Sequence, residues 1–200
     1  MQIKRRALYN SLRMNWLCNP QLKVKPWQVE DYRALTTDAL LLRLAENNIV
    51  LDKQAFQMFA ENVDSPEDLT DELLADSDLD NEQQDQVYLL VFELWRRFIP
   101  EKKCLSIFLD ELDYQIFLYD NGETRDFEKV QDCLEELSLI LDENIDSGID
   151  PSSIFETIST ACANDLESFL YDFISQQIDN NNLFYASELL DDFSQFVPEP

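Results

Sequence analysis

The chain has 200 residues, with 41 Asp/Glu against 15 Lys/Arg, no histidine and two glycines, for a net charge of −26. Without histidine there is no Ser-His-Asp or Cys-His nucleophile, no His-ligated zinc and no 2-His-1-carboxylate iron site. Two glycines in separate turns (Gly122 and Gly148) cannot build a Walker loop or a dinucleotide fingerprint.

Hydrophobic residues make up 45% of the chain, enough for a packed core despite the charge. No apolar run approaches the roughly 18 residues that a membrane span needs. The charge is uneven. Residues 1–33 carry seven Lys/Arg against two acids, and no Lys or Arg follows Lys129. Such a body repels nucleic-acid phosphate, so the expected partners are cations, basic proteins or the chain's own N-terminal arm.

In chain order, residues 1–25 read as a basic arm and residues 26–200 as an acidic helical domain, with a sub-division near 121–125. The arm suits a short amphipathic helix that Asn19-Pro20 ends. Its Asn10, Arg13 and Asn15 interrupt any secretory apolar stretch. An Arg-containing, acid-poor arm suits a mitochondrial transit peptide, but serine is scarce; the expectation is an arm folded on the acidic body through Leu8, Leu12, Trp16 and Leu17.

Residues 26–35 form a turn or two led by Pro26. Thr37 to about Glu46 is a helix that Asn47-Asn48 ends, and Asp52 caps another to about Asn62. Ser65-Pro66 and Asp150-Pro151 are strong helix starts, a cap followed by proline at the first position. Residues 82–99 place Val87, Leu90, Val91, Leu94 and Phe98 at helical spacing, with Tyr88, Leu89, Phe92 and Trp95 widening the stripe into that of a central helix. The same period holds from Leu105 to Tyr119, and again through Val130, Leu134, Leu137 and Leu141. Segments 151–178 (broken near Asn164) and 183–196 complete the chain.

The expected fold class is all-α, more than about half helix against an ordinary third. It is an array of about eight or nine short to medium antiparallel or orthogonal helices, in the manner of helical repeats. Tetratricopeptide spacing is absent.

Asp76, Asp78 and Asp80 match the first three ligand positions of an EF-hand loop, but Asn81 stands at the glycine position and Val87 where the bidentate glutamate belongs. Residues 142–153 fail in the same way. The better reading is that Asp80 or Asn81 caps the next helix, with Gln83 or Gln84 completing a capping box, and that the other acids favour its N-terminus. No metal or other cofactor is expected. Carboxylates at i and i+3, such as Glu61/Asp64, Glu82/Asp85 and Glu188/Asp191, suit a magnesium-dependent phosphohydrolase. Ten such pairs occur where about eight follow from composition alone, so they carry no signal.

The interaction candidates are Arg5 and Arg6 of the arm, Trp27, the basic group Arg96, Arg97, Lys102 and Lys103, and Phe193 and Phe196 near the acidic C-terminus. The basic group reads better as cations that complement a helix C-terminus and pair with nearby acids. Phe184, Tyr185, Phe193 and Phe196 together read either as a final core helix or as an exposed docking face. Cys18, Cys104, Cys133 and Cys162 lack the density of a secreted scaffold and read as free thiols of a cytoplasmic protein. The expectation is a non-enzymatic acidic interaction protein, adaptor- or chaperone-like, that binds a basic protein and no nucleic acid. The alternatives are the phosphohydrolase and an acidic nucleic-acid mimic.

Overall fold

Local caps divide the chain into its elements. A computed structural model describes residues 3–196. It is 71% helix, and there is no strand among the described residues. The helices are α1 (Ile3–Cys18), α2 (Pro26–Val29), a 3-10 turn (Tyr32–Ala34), α3 (Thr37–Glu46), α4 (Lys53–Ala60), α5 (Pro66–Leu74), α6 (Asn81–Phe98), α7 (Leu105–Asp120), α8 (Phe127–Asp146), α9 (Pro151–Ser159), α10 (Leu166–Asp179) and α11 (Leu183–Phe193).

The all-α class holds, with more helices than the eight or nine expected. The arm forms a regular helix and residues 26–35 split into α2 and a 3-10 turn, while 151–178 breaks near Asn164, as expected, into α9 and α10.

Seven helices start on a side-chain cap. Thr36, Asp52, Ser65, Asp80, Asp126, Asp150 and Asp165 each accept from a backbone N–H in the following turn, satisfying one of the orphan donors there. Four helices end alike, on a residue in the left-handed region: Asn48 (φ 63°), Gly122 (φ 67°), Gly148 (φ 88°) and Asn181 (φ 62°). In each, the next N–H reaches back to a carbonyl five residues earlier, as from Glu123 to Leu118 at 2.8 Å and from Asn182 to Gln177 at 2.9 Å. This is the Schellman ending, and asparagine tolerates its backbone nearly as glycine does. A helical protein can therefore end four helices with two glycines.

The chain divides into two compact units, Met1–Phe108 and Leu109–Pro200, with the boundary inside α7. The first is built on α6, in which every residue from Val87 to Trp95 is buried. It packs against α3, α4, α5 and the 3-10 turn, so it is enclosed on all sides. Each large side chain buried there contributes about 1.5–3 kcal/mol, and Leu94→Asp would break the unit. The one charged residue in that run, Glu93, is 4% exposed and is held by Arg96 and Arg97. A second buried carboxylate, Glu67, accepts from the hydroxyls of Tyr88 and Ser106, both at 2.9 Å.

The second unit is built on α8 and α10, with Leu134, Leu137, Leu141, Phe169, Leu170 and Phe173 buried. Tyr119 lies edge-on to Phe169 and Phe173 at 5.4 and 5.5 Å. Asp110 and Asp113 are buried carboxylates here, each 3% exposed. Asp113 accepts from the backbone N–H groups of Ala163 (2.8 Å) and Asn164 (3.0 Å) and from the Asn164 side chain (2.9 Å). That clasp holds the connection between α9 and α10, which explains why 151–178 is two helices. Burial pushes the Asp113 carboxyl above its usual range, against the pull of these donors, and it raises the neighbouring Cys162 thiol.

Candidate interaction surfaces

The basic arm is α1, and it lies on α6. Asp85 accepts from the Arg5 guanidinium (Nε at 2.9 Å) and from the Tyr9 hydroxyl at 2.7 Å. The Arg5 guanidinium lies over the Tyr88 ring at 4.4 Å and that of Arg6 over Phe92 at 5.4 Å. Both contacts draw on the negative face of the ring.

Trp27 closes the same cluster. Its indole N–H donates to Glu82 at 2.8 Å, and its ring meets Tyr9 at 5.6 Å. Lys25 also pairs with Glu82, and the two donors hold that carboxyl below its usual range. Farther along, Arg13 reaches Asp31 at 3.1 Å. The apolar anchors differ in part from those expected. Leu8 and Leu17 are 55% and 43% exposed, whereas Ala7 and Tyr9 are buried and Leu12 packs against the core. The face of α1 that turns inward is set by the Tyr9–Asp85 bond, a polar constraint that apolar periodicity does not carry.

The second basic group serves the first unit internally. Arg97 bonds to Glu93 at 2.7 Å, to Thr37 at 3.2 Å and to the carbonyls of Tyr32 and Arg33 at 3.3 and 3.2 Å. It thereby joins α6 to the 3-10 turn and α3. Arg96 pairs with Glu93. Lys102 donates to the carbonyls of Ala60 and Val63 at the end of α4, and its ammonium lies 6.0 Å from the Trp95 ring. Lys103 is exposed between α6 and α7.

Phe193 and Phe196 are 2% and 4% exposed, and Phe196 stacks on Phe155 at 6.4 Å. They belong to the core of the second unit. The aromatic residue that α11 shows to solvent is Phe184, 79% exposed.

Asp76, Asp78 and Asp80 are exposed between α5 and α6. Asp80 caps α6 in a full capping box with Gln83, the two bonds at 2.9 and 3.1 Å. No group of three His, Cys, Asp or Glu able to share a metal ion occurs among the described residues. Of the carboxylate pairs, Glu82 and Asp85 are both engaged by α1, Lys25 and Trp27, and Asp64 lies 3.6 Å from Lys102. The four cysteines are free thiols, with Cys133 buried and Cys18 exposed.

Two open cavities accompany these surfaces. One of about 690 Å³ in the first unit is lined by Trp16, Trp27, Tyr32, Gln86 and the ion pair of Arg43 with Glu30. One of about 740 Å³ in the second unit is lined by Tyr114, Gln115, Thr124, Arg125 and Lys129. Sequence reading missed both, and it missed the buried carboxylates. Asp113 had a usable signal, since it stands within the apolar stripe of Leu109, Leu112 and Ile116 on α7. An acid at such a position is buried and must find donors.

The chain matches no protein-family model, no curated protein and no solved structure. No helix of the described residues is long and apolar enough to cross a membrane.

Proposed function

We propose that this chain is a non-enzymatic interaction protein whose second unit offers an acidic helical surface to a basic protein partner. The observation that supports it is where the cations go. Residues 1–108 hold 13 Lys/Arg against 18 acids, and residues 109–200 hold two against 23. In the first unit Arg5, Arg13, Lys25, Arg43, Arg96, Arg97 and Lys102 all meet acids of the same unit. The second unit has no comparable supply. Like charges held this close raise the free energy of the folded state, and a basic partner relieves that cost.

Free thiols fit a reducing compartment such as the cytoplasm. Adaptor or holding-chaperone roles fit this surface, and a nucleic-acid mimic is the case in which the partner is a DNA-binding protein.

The test is affinity capture from native extract at low and high salt. The comparison bait has eight exposed acids of α8–α11 changed to their amides. Basic proteins should be retained by the wild type at low salt, released at high salt, and lost from the amide variant. Equal capture by both baits would overturn the reading.

A further inference from the structure

The corner between α10 and α11 leaves large apolar side chains in water. Phe184 is 79% exposed, Leu183 58%, Leu190 48% and Ile178 47%. The buried face of α11 is already made by Ala186, Leu189 and Phe193, so the fold does not need these four. Leu183 and Leu190 are seven residues apart and therefore share one face, about 10 Å along the helix. Asp179, Glu188 and Asp191 stand beside them, and there is no cation from residue 130 onward to balance these acids.

The first unit shows what such a face accepts. There α1, a basic helix with no acid, is seated on α6 by arginines that meet a carboxylate and aromatic rings together. We propose that the α10–α11 corner docks a basic amphipathic helix of a partner protein. Apolar side chains one or two turns apart on that helix cover Leu183, Phe184 and Leu190, and its Lys/Arg residues meet Asp179, Glu188 and Asp191. This is helix recognition through spaced anchors, and it rests on the acidic-surface reading above. A second copy of the same corner is disfavoured as occupant, because it brings the same acids against one another.

The probe is a labelled 16-residue peptide of leucine and lysine with leucines at helical spacing, titrated into the full chain and read by fluorescence anisotropy. A scrambled peptide of the same composition and a leucine–glutamate peptide are the controls. The amphipathic basic peptide should bind in a salt-dependent way and outcompete both controls.

The double variant Leu183→Ser/Phe184→Ser should weaken binding about tenfold or more, equivalent to about 1.4 kcal/mol, with melting unchanged. Leu139→Ser, 58% exposed on α8, should leave binding as it was. Salt-dependent binding that ignores the double variant would overturn the corner and leave the acidic surface standing. No binding of the peptide at low salt would overturn both. Equal binding of the scrambled peptide would overturn the helical partner. A wild-type dimer in sedimentation that the double variant abolishes would assign the corner to a second copy.

Discussion

The two units meet one problem, too much negative charge, in opposite ways. The first neutralises its acids locally: α1 brings Arg5 to Asp85, Lys25 reaches Glu82, and Arg96 and Arg97 close on Glu93. The second has almost no cations to neutralise its acids, several of which serve as caps and clasps, as Asp52 and Asp80 do in the first. Asp126, Asp150 and Asp165 start its helices, and Asp113 holds the turn before α10. A carboxylate satisfied by backbone N–H groups keeps its full charge on the unit, whereas one satisfied by an arginine does not. The same residue type therefore produces a balanced unit in one half and a strongly charged one in the other.

The largest expected effect comes from removing a clasp. Asp113→Ala leaves the half-buried N–H groups of Ala163 and Asn164 without their acceptor, and each unsatisfied group costs about 1–3 kcal/mol. Urea unfolding should show a loss of about 3 kcal/mol or more. A loss under 1 kcal/mol would mean that water substitutes freely for the carboxylate.

Deleting Ile3–Cys18 strikes the other strategy. It uncovers Tyr88 and Phe92 and frees Asp85, and the buried Tyr9 alone is worth about 1.5–3 kcal/mol. The melting temperature should fall at high salt as well as low, since most of the loss is apolar. Hydrogen exchange should rise in α6 while α10 keeps its protection. A loss that vanishes at high salt would show that charge alone seats the helix.

Mild acid should separate the units by sign. Asp113, Asp120 and Asp192 are all raised, first by burial and then by neighbouring carboxylates: Asp110 for Asp113, Asp172 for Asp120, and Asp142 and Asp191 for Asp192. The fold binds these protons more tightly than the unfolded chain does. Their stabilising contribution is complete below about pH 3.9 and is lost as pH rises through the raised values. Glu82 is lowered by Lys25 and Trp27, so its contribution is present above about pH 4.3 and is lost as pH falls further. Asp165, lowered by Ser168, follows Glu82 and is the exception in its unit.

From neutrality down to about pH 4.3, α7–α11 should gain exchange protection while the seating of α1 holds. Below that, α1 should loosen first. Parallel behaviour in both units would break the contrast.

The smallest effect concerns the aspartate run before α6. Asp80→Ala removes one cap and should cost about 1 kcal/mol. Calcium or a chelator should leave the melting curves of wild type and variant where they are. A calcium-dependent shift that Asp80→Ala removes would restore the metal reading.

Much of the fold was legible in the sequence, because its determinants are local. The cap at Ser65-Pro66, the stripe from Val87 to Phe98 and the turns at Asn48 and Gly122 are set by neighbours within a few residues. The interaction candidates were less legible, because pairing across long separations decides them. Arg97 reads as a helix C-terminal cation paired with a nearby acid, but nothing local shows that Tyr32 and Arg33 present their carbonyls to it. Phe193 and Phe196 read equally as core or as a docking face until burial, with Phe155 stacked on Phe196, decides for the core. Phe184 differs from Phe193 by its angle around α11, which periodicity defines poorly in a helix this short.

The absence of Lys and Arg beyond Lys129 also decides how this protein can be cut and marked. Trypsin cleaves after those two residues alone, so residues 130–200 leave any digest as a single piece, folded or unfolded. Lys129 is the one lysine of the second unit, and amine-directed labels or lysine-modifying enzymes will report almost wholly on the first. Mapping the acidic unit calls for a protease that cuts at glutamate or for chemistry aimed at carboxylates.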